Sequence, residues 1–166
     1  LCLSAALGLV KKENPADFLP SINPTGQGKL AIIPCFHGEA ERLSGMLQML
    51  MDPEEGDIAR RYPPNNLQNI IFLYRTAKGV KGNYKSVGGI NPFNADCNEI
   101  FEKLKTKFSG DVILDVGFMD CRPFIEEKVV NAVNNGASKV IVVHTMIGVS
   151  GHTEEIEERV LGLGLK

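Results

Sequence analysis

Two histidines, His37 and His152, are the residues of this chain whose type and placement point most directly to chemistry. His37 is followed by Gly38 at the end of the apolar run Leu30–Phe36. His152 stands in Ser150-Gly151-His152, after the apolar run Val140–Val143 and a glycine-broken turn. A histidine placed where a parallel strand gives way to a helix projects over the carboxyl edge of the sheet, where open α/β proteins bind ligands. A neutral imidazole ligates iron, cobalt, nickel or zinc, and it also accepts a proton near neutral pH. A single loop histidine is usually a surface or capping residue, but two on one sheet edge favour metal binding and proton transfer. Glu155, three residues after His152, shares its helical face if a helix begins at or before His152, and there it would orient the imidazole or relay a proton. Glu154, Glu155, Glu157 and Glu158 also suit the first turns of a helix through the dipole alone. His144, inside a strand end, reads as a packed residue.

Other chemistries lack their residues. No GxGxxG follows the first strand and no GxxxxGK[ST] occurs, so dinucleotide and P-loop sites lose their usual support. Ser150 lies near His152, yet no GxSxG elbow surrounds any serine. The pair Gly88-Gly89 in Tyr84–Phe93 permits either close backbone approach to a flat ligand or a tight turn. Cys2, Cys35, Cys97 and Cys121 are scattered without a CxxC pair, which excludes the common structural zinc spacings and fits a reducing, cytoplasmic compartment. A formal net charge of -2 gives no global field to hold a polyanion, so nucleic acid is not an expected partner. No apolar stretch reaches the roughly 18 residues of a membrane span. The small apolar opening Leu1–Val10 resembles the remnant of a signal h-region but lacks a charged n-region and a clear cleavage site, and a fragmentary start or a short helix suits it better.

The elements that must position the histidines are those of an α/β domain. With 166 residues, 43% hydrophobic and 23% charged, the chain is expected to form one globular domain. Residues 1–28 form a proline- and glycine-rich lead-in, and the domain spans residues 29–166. Leu30–Phe36 reads as a central strand whose ladder stops or bulges at Pro34. Glu39–Met51 follows as an amphipathic helix with Leu43, Met46, Leu47 and Leu50 on one face. Leu67–Ala77 carries Leu67, Ile70, Ile71 and Tyr74 at i, i+3, i+4 and i+7, the stripe expected of a helix. The glycines of Lys78–Asn94 argue against regular structure there. Ala95–Phe108 reads as a helix with Ile100, Phe101, Leu104 and Phe108 inward. Asp111–Phe118 and Lys139–Val143 are expected strands, and between them lies a helix over Pro123–Asn135 closed by Gly136. This alternation predicts a parallel sheet with helices on both faces and right-handed crossovers, a three-layer α/β fold of Rossmann-like topology.

The motifs together resemble the class II tetrapyrrole chelatases, the group of ferrochelatases and small sirohydrochlorin cobaltochelatases. Tyr84-Lys85-Ser86-Val87-Gly88-Gly89-Ile90-Asn91-Pro92-Phe93 is similar to the ferrochelatase stretch Y-x-x-I-G-G-x-S-P-L. The segment from Gly117 to Glu127, with Pro123, Ile125, Glu126 and Glu127, resembles the strand-P-x-I-E-E-helix unit of both branches. His37-Gly38 and Ser150-Gly151-His152 resemble the H-G and G-x-H-x-x-x-D-I segments of the small enzymes, with Glu155 in place of the aspartate. The ferrochelatase histidine would fall nearer Ile147. The resemblance covers Lys29 to the end. It implies a chelatase-like fold, one half of the two-domain ferrochelatase arrangement, with the cleft completed by a second copy in a homodimer or by a missing second half. It implies insertion of Fe2+ or Co2+, as substrate, into a porphyrin or sirohydrochlorin without an organic cofactor. His37 and His152 would be the metal-binding and catalytic residues, Glu155 a relay, and Tyr84, Gly88, Gly89 and Pro92 a frame for the ring. The competing reading is a noncatalytic tetrapyrrole or metal carrier. A nucleotide-binding α/β module is the third.

Overall fold

Leu30 to Phe36 is an unbroken apolar run with Ile32 and Ile33 at its middle, and the segment Lys29–Phe36 forms β1, the central strand of a four-stranded parallel sheet. The computed structural model describes residues 13–51, 57–108, 110–145 and 151–165. The apolar opening Leu1–Val10 and residues 146–150, including Ile147 and Ser150, where a turn is expected, lie outside the described residues. Two compact units divide the chain, Leu1–Glu13 with Glu39–Asn94, and Asn14–Gly38 with Ala95–Lys166.

The sheet belongs to the second unit. On one side β1 pairs with β4 (Ala137–His144), from Leu30 against Lys139 to Cys35 against His144. On the other side it pairs first with β2 (Val112–Leu114) and then with β3 (Gly117–Phe118). The single strand expected over Asp111–Phe118 is therefore two. Asp115 and Val116 interrupt it, the Asp115 side chain accepting the Val116 N–H at 2.8 Å and pairing with Lys128 at 3.0 Å. Pro34 does not end β1. The Ile32 and Phe36 carbonyls face the β2 and β3 side, where Asp115 and Met119 donate to them, while the Cys35 carbonyl faces β4. By this alternation the N–H that Pro34 lacks would point at the interruption, so no ladder bond is lost.

The helix α5 (Ile125–Asn134) covers one face of the sheet. Its Ile125, Val129 and Ala132 pack with Ala31, Ile33 and Cys35 of β1 and with Ile156 of α6 (Gly151–Leu161). Each such large apolar side chain contributes about 1.5–3 kcal/mol when fully buried. Gly117 is required here, since a Cβ would sit 2.9 Å from the Ile125 Cα. Gly136, at φ 101°, closes α5 as expected, its N–H donating to the Val133 carbonyl. The lead-in is clasped to the end of α5, where the Asn134 side chain accepts the Asn23 N–H at 2.6 Å. Cover is found on the α5 face. On the opposite face of β4, Ile141 and Val143 remain 38% and 42% exposed. Burial also pushes the Cys35 thiol up to about 12, so it is an inert core residue.

The first unit is helical: α1 (Leu43–Met51), α2 (Asp57–Arg61) and α3 (Leu67–Ser86). Leu47, Met51, Ala59, Leu73 and Ala77 form its core. Asn66 caps α3 by accepting the Asn69 N–H at 2.9 Å. Two expectations are corrected. The helix runs on through Gly79 and Gly82 to Ser86, and its inward face is Leu73, Ala77 and Tyr84. The expected stripe of Leu67, Ile70, Ile71 and Tyr74 is exposed. The helix α4 (Phe93–Lys105) leads into the second unit, and of its expected inward residues only Phe101 is buried, while Ile100, Leu104 and the following Phe108 are exposed. Among the described residues no helix is long and apolar enough to cross a membrane.

Candidate functional site

At the carboxyl end of β1 the chain turns at Gly38, whose φ is 80°. A Cβ there would lie 2.8 Å from the Cys121 Sγ and 3.0 Å from the Phe118 Cβ, so glycine meets both the backbone and the space requirement. The strand β3 continues its pairing beyond its own end. Met119 N–H donates to the Phe36 carbonyl and Asp120 N–H to the His37 carbonyl, each at 2.9 Å, which carries Asp120 alongside His37.

Both nitrogens of the His37 ring have a polar neighbour. Nδ1 lies 2.9 Å from the Gly38 carbonyl oxygen, and because a carbonyl only accepts, Nδ1 carries the hydrogen. Nε2 faces the Asp120 carboxylate, 3.3 Å from Oδ2. His152, the second residue of α6, places its ring 4.8 Å from that of His37, centroid to centroid, at 86°. Metal–imidazole bonds of about 2.0–2.1 Å allow the two nitrogens up to about 4 Å of separation, which rings this close can reach. Both rings are half-buried and Asp120 is more so. Among the described residues no group of three or more His, Cys, Asp and Glu side chains is arranged to enclose a metal ion. The His37 Nε2 lone pair and the Asp120 carboxylate, with the His152 ring beside them, present a place where a cation, proton or metal, can bind.

The two histidines singled out by the sequence are therefore together. Glu155 does lie on α6 one turn beyond His152, since the helix begins at Gly151, but its half-exposed carboxylate is turned to Arg159 at 3.6 Å. The carboxylate beside an imidazole is Asp120, which sequence reasoning passed over. Arg159 was passed over as well, and Glu126 was noted only as part of the P-x-I-E-E unit, without a partner. Glu126, in the first turn of α5, is buried and accepts two hydrogen bonds from Arg159, at 2.6 and 2.9 Å. Burial opposes the charge of the Arg159 guanidinium, but the carboxylates of Glu126, Glu155 and Asp120 together outweigh that and hold its pKa above the usual value. His144 is a strand residue as expected, with a buried Nδ1 that meets no hydrogen-bond partner among the described residues.

Tyr84, Gly88, Gly89 and Pro92 belong to the first unit, and the two histidines to the second. The Tyr84 hydroxyl is buried and donates to the Ala40 carbonyl, and burial raises its pKa. Gly88 and Gly89, at φ 77° and 88°, close α3, with the Gly89 N–H donating to the Tyr84 carbonyl at 2.7 Å. The pair thus makes a tight turn, and a Cβ at either glycine would meet no described atom within 4 Å, so space is open beside both. Pro92 is exposed. On either side of it, Asn91 donates to the Glu39 carboxylate and Asn94 pairs with the Glu39 backbone.

No protein-family model, curated protein or solved structure matches this chain.

Proposed function

We propose that this protein inserts a divalent metal, Fe2+ or Co2+, into a tetrapyrrole, porphyrin or sirohydrochlorin, and that its parallel sheet is of the three-layer chelatase-like, Rossmann-like kind. The observation that supports this most is the His37 ring, fixed by its Nδ1–H on the Gly38 carbonyl, with Nε2 beside Asp120 and the His152 ring 4.8 Å away. Insertion removes two N–H protons from the macrocycle as the metal, a substrate here, enters it. Imidazole nitrogens hold such an ion weakly enough to release it and take up protons near neutral pH. In this reading His152 and His37 present the metal. His37 Nε2 then receives one pyrrole proton as the ion departs, stabilised by the adjacent Asp120 carboxylate, and His152 receives the other. The Gly38 carbonyl keeps the His37 ring from turning Nε2 away.

The test is to mix the protein with sirohydrochlorin, or with a porphyrin, and Co(II) or Fe(II), and to follow the absorbance bands. The metallated spectrum is expected with the native chain, and His152→Ala should slow its appearance by about 100-fold or more while leaving the circular dichroism unchanged. Unchanged rates in that variant would remove the assignment. A bound but unmetallated spectrum in the native protein would indicate a carrier instead.

A further inference from the structure

We propose that Arg159 is a positioning residue, which holds His152 against the His37–Asp120 pair by gripping the Met119–Asp120 peptide group and the Glu126 carboxylate together. Arg159 lies seven residues after His152 on α6. Two helical turns bring it within about 20° of the same face and about 10 Å along the axis. Ile156, between them, is fully buried in the core, so this face is the one α6 turns inward. One end of the face carries the imidazole and the other carries the clamp.

The clamp acts through a single peptide group. Arg159 Nη1 donates to the Met119 carbonyl at 3.0 Å, and the N–H of the same peptide, on Asp120, donates to the His37 carbonyl at 2.9 Å. Arg159, the peptide and the residue bearing the first imidazole thus form one hydrogen-bonded chain, whose members polarise one another. Nε and Nη2 of Arg159 meanwhile hold Glu126 on α5. A guanidinium can direct three planar donors at two partners, whereas an ammonium offers only a point charge. The distance between His152 and His37 is consequently set from the far end of α6. Its consequence for rate rests on the metal-insertion reading above; the geometric claim does not.

The experiment compares Arg159→Lys with the double variant Arg159→Met, Glu126→Leu. The first keeps a charge beside Glu126, and the second removes both members of the pair so that no buried carboxylate is stranded. Denaturant unfolding reports the fold, and the nuclear Overhauser contact between the His37 and His152 ring protons reports their approach, resolvable because the chain has only 3 histidines. kcat and KM are measured for Co(II) insertion into sirohydrochlorin. Both variants should unfold cooperatively, lose the ring contact, and lose about 10- to 100-fold in kcat with a smaller change in KM. A folded double variant with native ring contact and native kcat overturns the proposal, as does Arg159→Lys behaving like the native chain or a native chain without the contact. Variants that lose the contact, in a protein that inserts no metal, leave the positioning role standing and remove the insertion reading.

Discussion

Replacing Gly38 by alanine probes the site without touching any group that binds or transfers protons. Two costs can be separated. The first is conformational, because φ is 80° and a side chain in the left-handed region costs roughly 1–2 kcal/mol. The second is steric, because the new Cβ would stand 2.8 Å from the Cys121 Sγ and 3.0 Å from the Phe118 Cβ, and overpacking of this kind costs roughly 1–3 kcal/mol. Together they predict a loss of roughly 2–5 kcal/mol, a large part of the roughly 5–15 kcal/mol that a domain has. Gly26→Ala supplies the reference, since Gly26 has φ 58° and open space around it, and it should show the conformational part alone. Urea unfolding of the three proteins measures the difference. Combining Gly38→Ala with Cys121→Ala removes the nearer contact and should recover part of the steric cost, a coupling expected of touching residues. If Gly38→Ala costs no more than Gly26→Ala, the tight approach of the His37-Gly38 turn to the Phe118–Cys121 segment is wrong, and with it the argument for how Asp120 reaches His37.

Truncating the two faces of α3 should give opposite results: Leu73→Ala loses about 2–5 kcal/mol by urea unfolding, while Leu67→Ala stays within about 0.5 kcal/mol. Equal effects would mean that the Leu67 stripe is the buried one. Burial raises the Cys35 pKa from 9.0 to about 12, so its protonated thiol favours the folded state fully below pH 9. That stability is lost as pH rises from 9 to 12, at about 1.4 kcal/mol per unit. Cys35→Ala should flatten this part of the stability profile, and parallel profiles for the two proteins would refute the shift. Asp120→Asn keeps the shape of the side chain and removes its charge, so metal insertion should fall about 10- to 100-fold at unchanged stability. Native insertion rates in that variant would leave Asp120 without a part in the reaction.

Much of the framework was legible because apolar periodicity and punctuation agreed. The run Leu30–Phe36, the helix closed by Gly136 and the strand before His144 all appear where branched residues, proline and glycine indicate. The face and end of α3 were not legible. Leu67, Ile70, Ile71 and Tyr74 make the clearer stripe in sequence, but Leu73, Ala77, Val80 and Tyr84 make a second one that continues past Gly79 and Gly82. Each exposed glycine costs a helix only about 1 kcal/mol, less than burying the side chains beyond it returns. Periodicity names a helix. It does not say which of two stripes finds a partner.

At the site, the histidines were visible because imidazole is rare and both follow strands, whereas Asp120 was hidden because its role depends on register. The interruption at Asp115 and Val116 does not shift the pairing: Ile32 faces Leu114 before it and Cys35 faces Gly117 after it, the same offset. That constancy brings Met119 and Asp120 level with the turn after β1. Two glycines allow the approach, Gly117 beneath Ile125 and Gly38 against Cys121. A carboxylate two residues past a strand looks like any surface aspartate until its neighbouring strand is known, because sequence gives the spacing along one chain and not the offset between two. The same reasoning makes the site depend on backbone placement. Substitutions that move the β1 and β3 ends by a fraction of an ångström should separate Asp120 from His37 before they unfold the sheet, since a 3.3 Å contact has little length to spare.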